Sequence, residues 1–173
     1  MKRFLASLLT LVLLCALCVP ALADTHTVDL AGGLTVEIPA KWTVMKTDPA
    51  TNSGTALTAS FGDSEISFED NGEAPLDFSA LGVEFMEILL PEMVGGFEES
   101  GLKVEESSVF DGGEACYFKL KSGMEMFGMR MSMLAYVGTH DDSAYSITGL
   151  YFGDVTPEIE AELDGIVSSI RFQ

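Results

Sequence analysis

The stretch Thr156-Pro157-Glu158-Ile159-Glu160-Ala161-Glu162-Leu163-Asp164-Gly165-Ile166-Val167-Ser168-Ser169-Ile170-Arg171-Phe172 carries the clearest folding instruction in this chain of 173 residues. Threonine followed by proline is a helix start. The Thr156 hydroxyl can accept one of the free backbone N–H groups, and Pro157 gives up a donor that has no partner in the first turn. Ile159, Leu163, Ile166, Val167 and Ile170 then fall at i, i+4, i+7, i+8 and i+11, one apolar stripe. Glu158, Glu160, Glu162 and Asp164 take positions read as solvent-facing. Such a helix persists only where its stripe is buried, so a sheet face must lie beneath it.

The preceding residues supply that sheet. Residues 144–152 alternate, with Tyr145, Ile147 and Tyr151 on one side, and follow the polar turn Thr139-His140-Asp141-Asp142. Residues 124–137 read as one long strand opened by a turn at Ser122-Gly123. Residues 114–121 form its neighbour, with Cys116, Phe118 and Leu120 on one face and Tyr117, Lys119 and Lys121 on the other. Asp111-Gly112-Gly113 turns back to a strand over 102–110, and a consecutive meander is the simplest pairing. Toward the N-terminus, residues 26–31 and 34–38 make a hairpin across Gly32-Gly33, stopped by Pro39, and Trp42-Thr43-Val44 precedes a polar loop over 47–54. Residues 56–61 and 65–69 form a second hairpin at Gly62-Asp63, with a further turn at Asp70-Asn71-Gly72. Between the hairpins and the meander, Leu81, Phe85, Ile88 and Leu89 recur at helical spacing. Asp77 is placed to cap this helix, Pro91 to kink or end it, and Gly95-Gly96 with Gly101 to finish the helical region. Strands, one helix, a meander and a closing helix give an α+β fold on an antiparallel sheet. Apolar groups on both faces of 124–137 predict helices on both sides, an α/β/α sandwich.

The first residues carry an address. Lys2 and Arg3 precede an apolar run over 4–19, followed by Pro20 and Ala21-Leu22-Ala23, the pattern of an export signal cleaved after Ala23. The run is shorter than the roughly 18–20 residues of a spanning helix. Leu14 and Leu17 precede Cys15 and Cys18 where lipid attachment wants a small residue, so a freely exported, secreted or extracytoplasmic protein is expected, not a lipoprotein. Residues 24–173 then form one domain of 150 residues. The leader removes two of nine basic residues, leaving seven against 27 acidic ones and a formal charge near −20. That field repels nucleic acid and anionic membranes and attracts cations and basic proteins.

Three stretches resemble the PsbP-like family, which includes the extrinsic photosystem II subunit, the Mog-type Ran-binding proteins and many exported bacterial proteins. Gly33-Leu34-Thr35-Val36-Glu37-Ile38-Pro39-Ala40-Lys41-Trp42 is similar to the family's opening strand, proline and aromatic. Glu114-Ala115-Cys116-Tyr117-Phe118-Lys119-Leu120-Lys121 is similar to its central strand, and residues 159–172 to its closing helix and short last strand. The resemblance implies the sandwich fold and a protein that works by binding. It brings no catalytic centre or cofactor, and no photosystem or Ran contact matches residues here.

Few side chains offer chemistry. Cys116, the one cysteine after the leader, reads as a small buried hydrophobe, since Lys119, the nearest basic group, points to the other face. His26 and His140 are the only histidines and sit in polar segments, read as solvent-exposed, so neither a histidine metal site nor a catalytic triad is supported. Asp63, Glu65, Glu69, Asp70 and Glu73 lack the spacing of a helix-loop-helix calcium loop. Gly32-Gly33, Gly95-Gly96 and Gly112-Gly113 lack the spacing and lysine of a phosphate cradle and read as turns. The exception is Met124, Met126, Met129, Met131 and Met133, whose thioethers can hold a soft ion such as Cu(I). On one continuous strand Met129, Met131 and Met133 join a core face, which leaves Met124 and Met126 as candidate ligands, although a bulge at Phe127-Gly128 would swing all five to one side. The expectation is a non-catalytic binding or scaffolding domain of the cell envelope, monomeric or a weak dimer, without cofactor, whose partner is a protein or small ligand. A copper-binding protein using the methionine strand is the alternative, with a carboxylate-dependent hydrolase behind it.

Overall fold

The computed structural model describes residues 24–30, 34–45, 55–74, 76–78, 81–141 and 143–172, and the side chains of 55–57 are not included. The export signal read over 1–23, the Gly32-Gly33 turn and the loop over 47–54 lie outside the described residues.

Two antiparallel sheets form. Strands β1 (Thr25–Asp29) and β2 (Leu34–Pro39) pair with Val28 opposite Val36, and the short last strand β10 (Arg171–Phe172) adds to the other edge of β2. The larger sheet takes β3 (Thr43–Met45), β4 (Thr55–Phe61), β5 (Ser64–Glu73), β6 (Val104–Asp111), β7 (Cys116–Met126), β8 (Met129–His140) and β9 (Ser143–Phe152) in the order β3-β4-β5-β9-β8-β7-β6. The expected meander is present as β6 to β9, and β9 closes on β5, so the second hairpin and the meander merge into one sheet.

On one face of this sheet lie helix α2 (Pro157–Ser168) and the small sheet. Thr156 caps α2 by accepting the Ile159 N–H at 3.4 Å, with Pro157 in the first turn, as its sequence requires. Leu163, Ile166, Val167 and Ile170 are buried against Ile147, Tyr151, Leu134 and Tyr136 of the sheet and Val36 and Ile38 of the small sheet. Each such side chain contributes about 1.5–3 kcal/mol of burial. On the opposite face lies helix α1 (Val83–Glu99), which packs on β6 and β7 around Met86, Cys116 and Phe118. Helices thus flank an antiparallel sheet on both sides.

Several local expectations are corrected. The turn expected at Ser122-Gly123 is instead at Phe127-Gly128, where φ values of 54° and 78° give the two positive angles of a tight I′ hairpin. β7 therefore runs on to Met126, and β8 begins at Met129. Asp70-Asn71-Gly72 is no turn but an irregularity inside β5, where the register with β9 shifts and Gly72 N–H donates to Asp70 Oδ1 at 2.8 Å. α1 does not end at Pro91 or Gly95-Gly96. Pro91 and Glu87, whose carbonyl loses its donor, are both exposed, so the lost bond is not stranded in the core, and the helix continues to Glu99. Nor does Asp77 cap it: Gly82 precedes the helix without a side-chain bond, and Asp77 Oδ1 accepts from Thr139 Oγ1 at 2.9 Å on β8.

Leu163 is fully buried where α2 meets the sheet. Leu163→Ala should lower the stability measured by urea unfolding by about 2–5 kcal/mol. Leu163→Asp places an unpaired charge there and should abolish the cooperative thermal transition, so a melting temperature equal to wild type would refute this packing.

Candidate binding surfaces

The hairpin turn decides where the methionines lie. Directly opposed residues of an antiparallel pair share a face, and the register sets Met126 against Met129, Met124 against Met131 and Ser122 against Met133. All five sulfur side chains thus stand on the α1 side of the sheet, beyond the stretch that α1 covers. Leu150 and Phe152 of β9 extend the row, opposite Met133 and Met131. The expectation that Met129, Met131 and Met133 belong to the core is overturned. Met124, Met126 and Met129 are exposed, Met129 at 55 %, and Met131 and Met133 are half-buried. On the other face of β8 Leu134 and Tyr136 are buried, whereas on the methionine side it is Ala135 that is buried. Among the described methionines only Met86 is fully enclosed. A two-residue turn at Phe127-Gly128, in place of the bulge considered from the sequence, brings the five together.

A second apolar surface lies on α1. Phe85 and Ile88, one turn apart, are 42 % and 73 % exposed, with Leu81 also exposed just before the helix. Of the four residues that recur at helical spacing, Leu81, Phe85, Ile88 and Leu89, only Leu89 packs inward. The stripe that packs is Met86, Leu89, Leu90 and Met93, rotated by about one residue. Beside the exposed ridge runs an open groove of about 460 Å³, walled by Leu89, Met93, Gly96 and Phe97 and floored by Phe118, with Phe78 at its side. Glu92 stands on its rim, and Glu84, Glu87, Glu98 and Glu99 keep the exposed side of the helix acidic.

The polar groups on the α2 side are engaged with one another. Lys119 reaches under α2 to Glu160 at 2.6 Å and Asp164 at 2.8 Å, and the Tyr136 hydroxyl donates to the same Asp164 carboxylate. Trp42 Nε1–H donates to Glu162 at 2.6 Å, and Lys41 pairs with the other oxygen of that carboxylate. Glu160, Glu162 and Asp164, expected to face solvent, are half-buried and pin the helix to the sheet. Trp42, Phe61, Lys41 and Glu162 border a cavity of about 310 Å³ between α2 and the β4–β5 turn. Among the described residues no group of three or more His, Cys, Asp and Glu side chains is placed to hold a metal ion. No helix among them is long and apolar enough to cross a membrane.

Solved structures share this architecture at low sequence identity. The cyanobacterial PsbP protein CyanoP of Synechocystis sp. PCC 6803 matches with a TM-score of 0.60 at 14% identity, covering 90% of this chain and 96% of that one. The fold is PsbP-like. The Saccharomyces cerevisiae Ran-binding protein Mog1p matches at 0.52 and 10% identity, covering 86% of this chain and 95% of its own. A Bacteroides thetaiotaomicron VPI-5482 protein matches at 0.55 and 8% identity over 82% of this chain and 45% of that one. No protein-family model and no curated protein matches the sequence.

Within this PsbP-like frame Cys116 is buried under α1 next to Phe118, and burial together with Asp111 raises its thiol above the ordinary value, the opposite of an activated nucleophile. His26 is exposed, as expected. His140 is not: it is half-buried and stacks on Phe172 with ring centroids 3.6 Å apart, which ties the end of β8 to β10. Asp63, Glu65, Glu69, Asp70 and Glu73 lie along the β4–β5 hairpin and its continuation, and Glu65 and Glu69 share the α1 side with Leu150 and Ser146.

Burial raises the phenol pKa of Tyr117, Tyr136 and Tyr151 above the ordinary 10.0, and the hydrogen bond to Asp164 raises Tyr136 further. The unfolded chain begins to release these protons near pH 10 while the folded protein retains them. Stability should therefore be intact below that pH and fall as pH rises past it, with tyrosinate absorbance appearing together with loss of the circular-dichroism signal; tyrosinate forming in a still-folded protein would contradict the burial. Phe127 holds a positive φ that favours Asn or Gly, so Phe127→Asn should raise stability in urea by about 0.5–1 kcal/mol.

Proposed function

We propose that the chain is an exported, non-catalytic binding domain that holds a segment of another protein, one presenting apolar anchors beside basic residues, along α1. The observation that carries this reading is the pairing of the exposed Phe85-Ile88 ridge with the groove over Phe118. A helix whose outer side keeps such side chains gains nothing from them in the monomer, whereas anchors at helical spacing next to a groove are the usual means of holding an amphipathic segment. Gly96 leaves the wall low enough for a partner side chain to enter. Glu92 and the net charge of −18 select a basic partner and hasten its encounter.

Two further facts support the reading. The acids and bases under α2 are committed to one another, and the fold is shared with Mog1p, a Ran-binding protein. The basic, apolar and small-residue pattern of the first 23 residues supports export.

The purified protein, immobilised and offered an envelope extract, should retain a partner whose binding weakens as salt rises. Phe85→Ser with Ile88→Asp should lower that retention by about tenfold or more at an unchanged melting temperature, because both side chains are exposed in the monomer. Equal retention by this variant would reject the ridge as the docking surface. N-terminal sequencing of the protein recovered outside the cytoplasm should begin at Asp24.

A further inference from the structure

We propose that the methionine row on the β7–β8 hairpin is a binding site for one soft monovalent metal ion, Cu(I) or its redox-inert analogue Ag(I), held by the thioethers of Met124, Met126, Met129 and Met131. The site is separate from the α1 ridge and stands or falls independently of it.

The register carries the inference. Met126 faces Met129 and Met124 faces Met131 directly across the hairpin, which places the Cβ atoms of each pair about 4.5–5.5 Å apart. The two pairs follow one another along one face at about 6.4–6.8 Å. Methionine carries three rotatable bonds, so four sulfurs on such a rectangle can converge on a point above its centre. The Phe127-Gly128 turn fixes this arrangement, since both of its residues hold the positive φ of a two-residue hairpin and a slip by one residue would send one strand's methionines to the opposite face.

Methionine's common role as a filler of irregular cores does not account for the row. Met124, Met126 and Met129 are 38 %, 42 % and 55 % exposed, so they fill no core. Thioether sulfur is a soft donor that suits Cu(I) and ignores the hard divalent ions that carboxylates prefer. Phe152, opposite Met131 on the same face, puts an aromatic ring beside the methionine row, where its π-face can shield and attract a cation. The strongly negative chain raises the local concentration of any cation.

Thioethers bind without losing a proton, which separates this site from any formed by thiol, imidazole or carboxylate. The test is anaerobic competition of the purified protein against a chromogenic Cu(I) chelator, with Ag(I) titrated by calorimetry. One ion per chain should bind at micromolar concentration or tighter, with affinity equal within about threefold at about pH 5.5 and about pH 7.5. Met124→Leu with Met129→Leu keeps side-chain volume, should leave the melting temperature unchanged, and should weaken binding about tenfold or more. Cys116→Ser should bind as wild type does. Absence of competition, wild-type affinity in the double leucine variant, loss of binding in Cys116→Ser, or affinity that falls with pH would each overturn the site.

Discussion

Two glycines set how closely the layers of this protein can approach. A Cβ on Gly149 of β9 would lie 2.7 Å from the Tyr151 ring and 2.9 Å from Leu163 of α2, and one on Gly138 of β8 would lie 2.7 Å from the ring of Tyr117. Real Cβ atoms do not tolerate such distances, so both positions must be bare for the tyrosine rings to lie down against the sheet. Tyr117 and Gly138 stand one step beyond the Phe118–Val137 pair, and the Tyr117 ring covers the gap that Gly138 leaves. With the rings flat, α2 settles onto Leu163, Ile166 and Val167, and the acids along its flank come within reach of Lys119, Lys41 and Trp42. Burial of the tyrosines, the ion pairs under α2 and the seating of the small sheet all depend on that close approach.

The closing helix and the alternating strands were legible because each signal carries its own phase. Thr156-Pro157 fixes where α2 begins, and a single stripe then has only one way to face inward. Cys116, Phe118 and Leu120 likewise alternate with polar neighbours, and the structure buries them. α1 lacked such a reference. Phe85 and Ile88 recur at helical spacing, but so do Met86, Leu89, Leu90 and Met93, and period alone does not say which of two adjacent stripes meets the sheet. The start of the helix would have decided it, and that start is Gly82 at φ 77° without a side-chain cap, not the Asp77 that the usual rule selects.

The β7–β8 hairpin was misread for a related reason. Ser122-Gly123 has turn composition and Phe127-Gly128 has less of it, because a phenylalanine at positive φ runs against intrinsic preference. Pairing over the full length of both strands overrides that local cost: placing the turn at Phe127-Gly128 lets β7 keep its partners from Phe118 to Met126. With the turn there, Met124 and Met126 belong to β7, whose even-numbered residues share a face with the odd-numbered residues of β8. The five methionines that a single strand would split between core and solvent become one row.

The two sides of the central sheet then differ in kind. On the α2 side, glycines, rings, ion pairs and a second sheet account for nearly every large side chain, and change there would be felt as lost stability. On the other side α1 covers β6 and β7, while the β8–β9 half keeps Met131, Met133 and Leu150 half-buried and Met129 and Phe152 exposed. Completing the core cannot be the reason for these residues, since a polar substitution at Phe152 or Ile88 would remove little buried area and would favour solubility in water. On the two readings proposed above, contacts with a bound ligand account for these side chains, and the chemistry of the two patches differs, thioether in one and aromatic-aliphatic beside glutamate in the other.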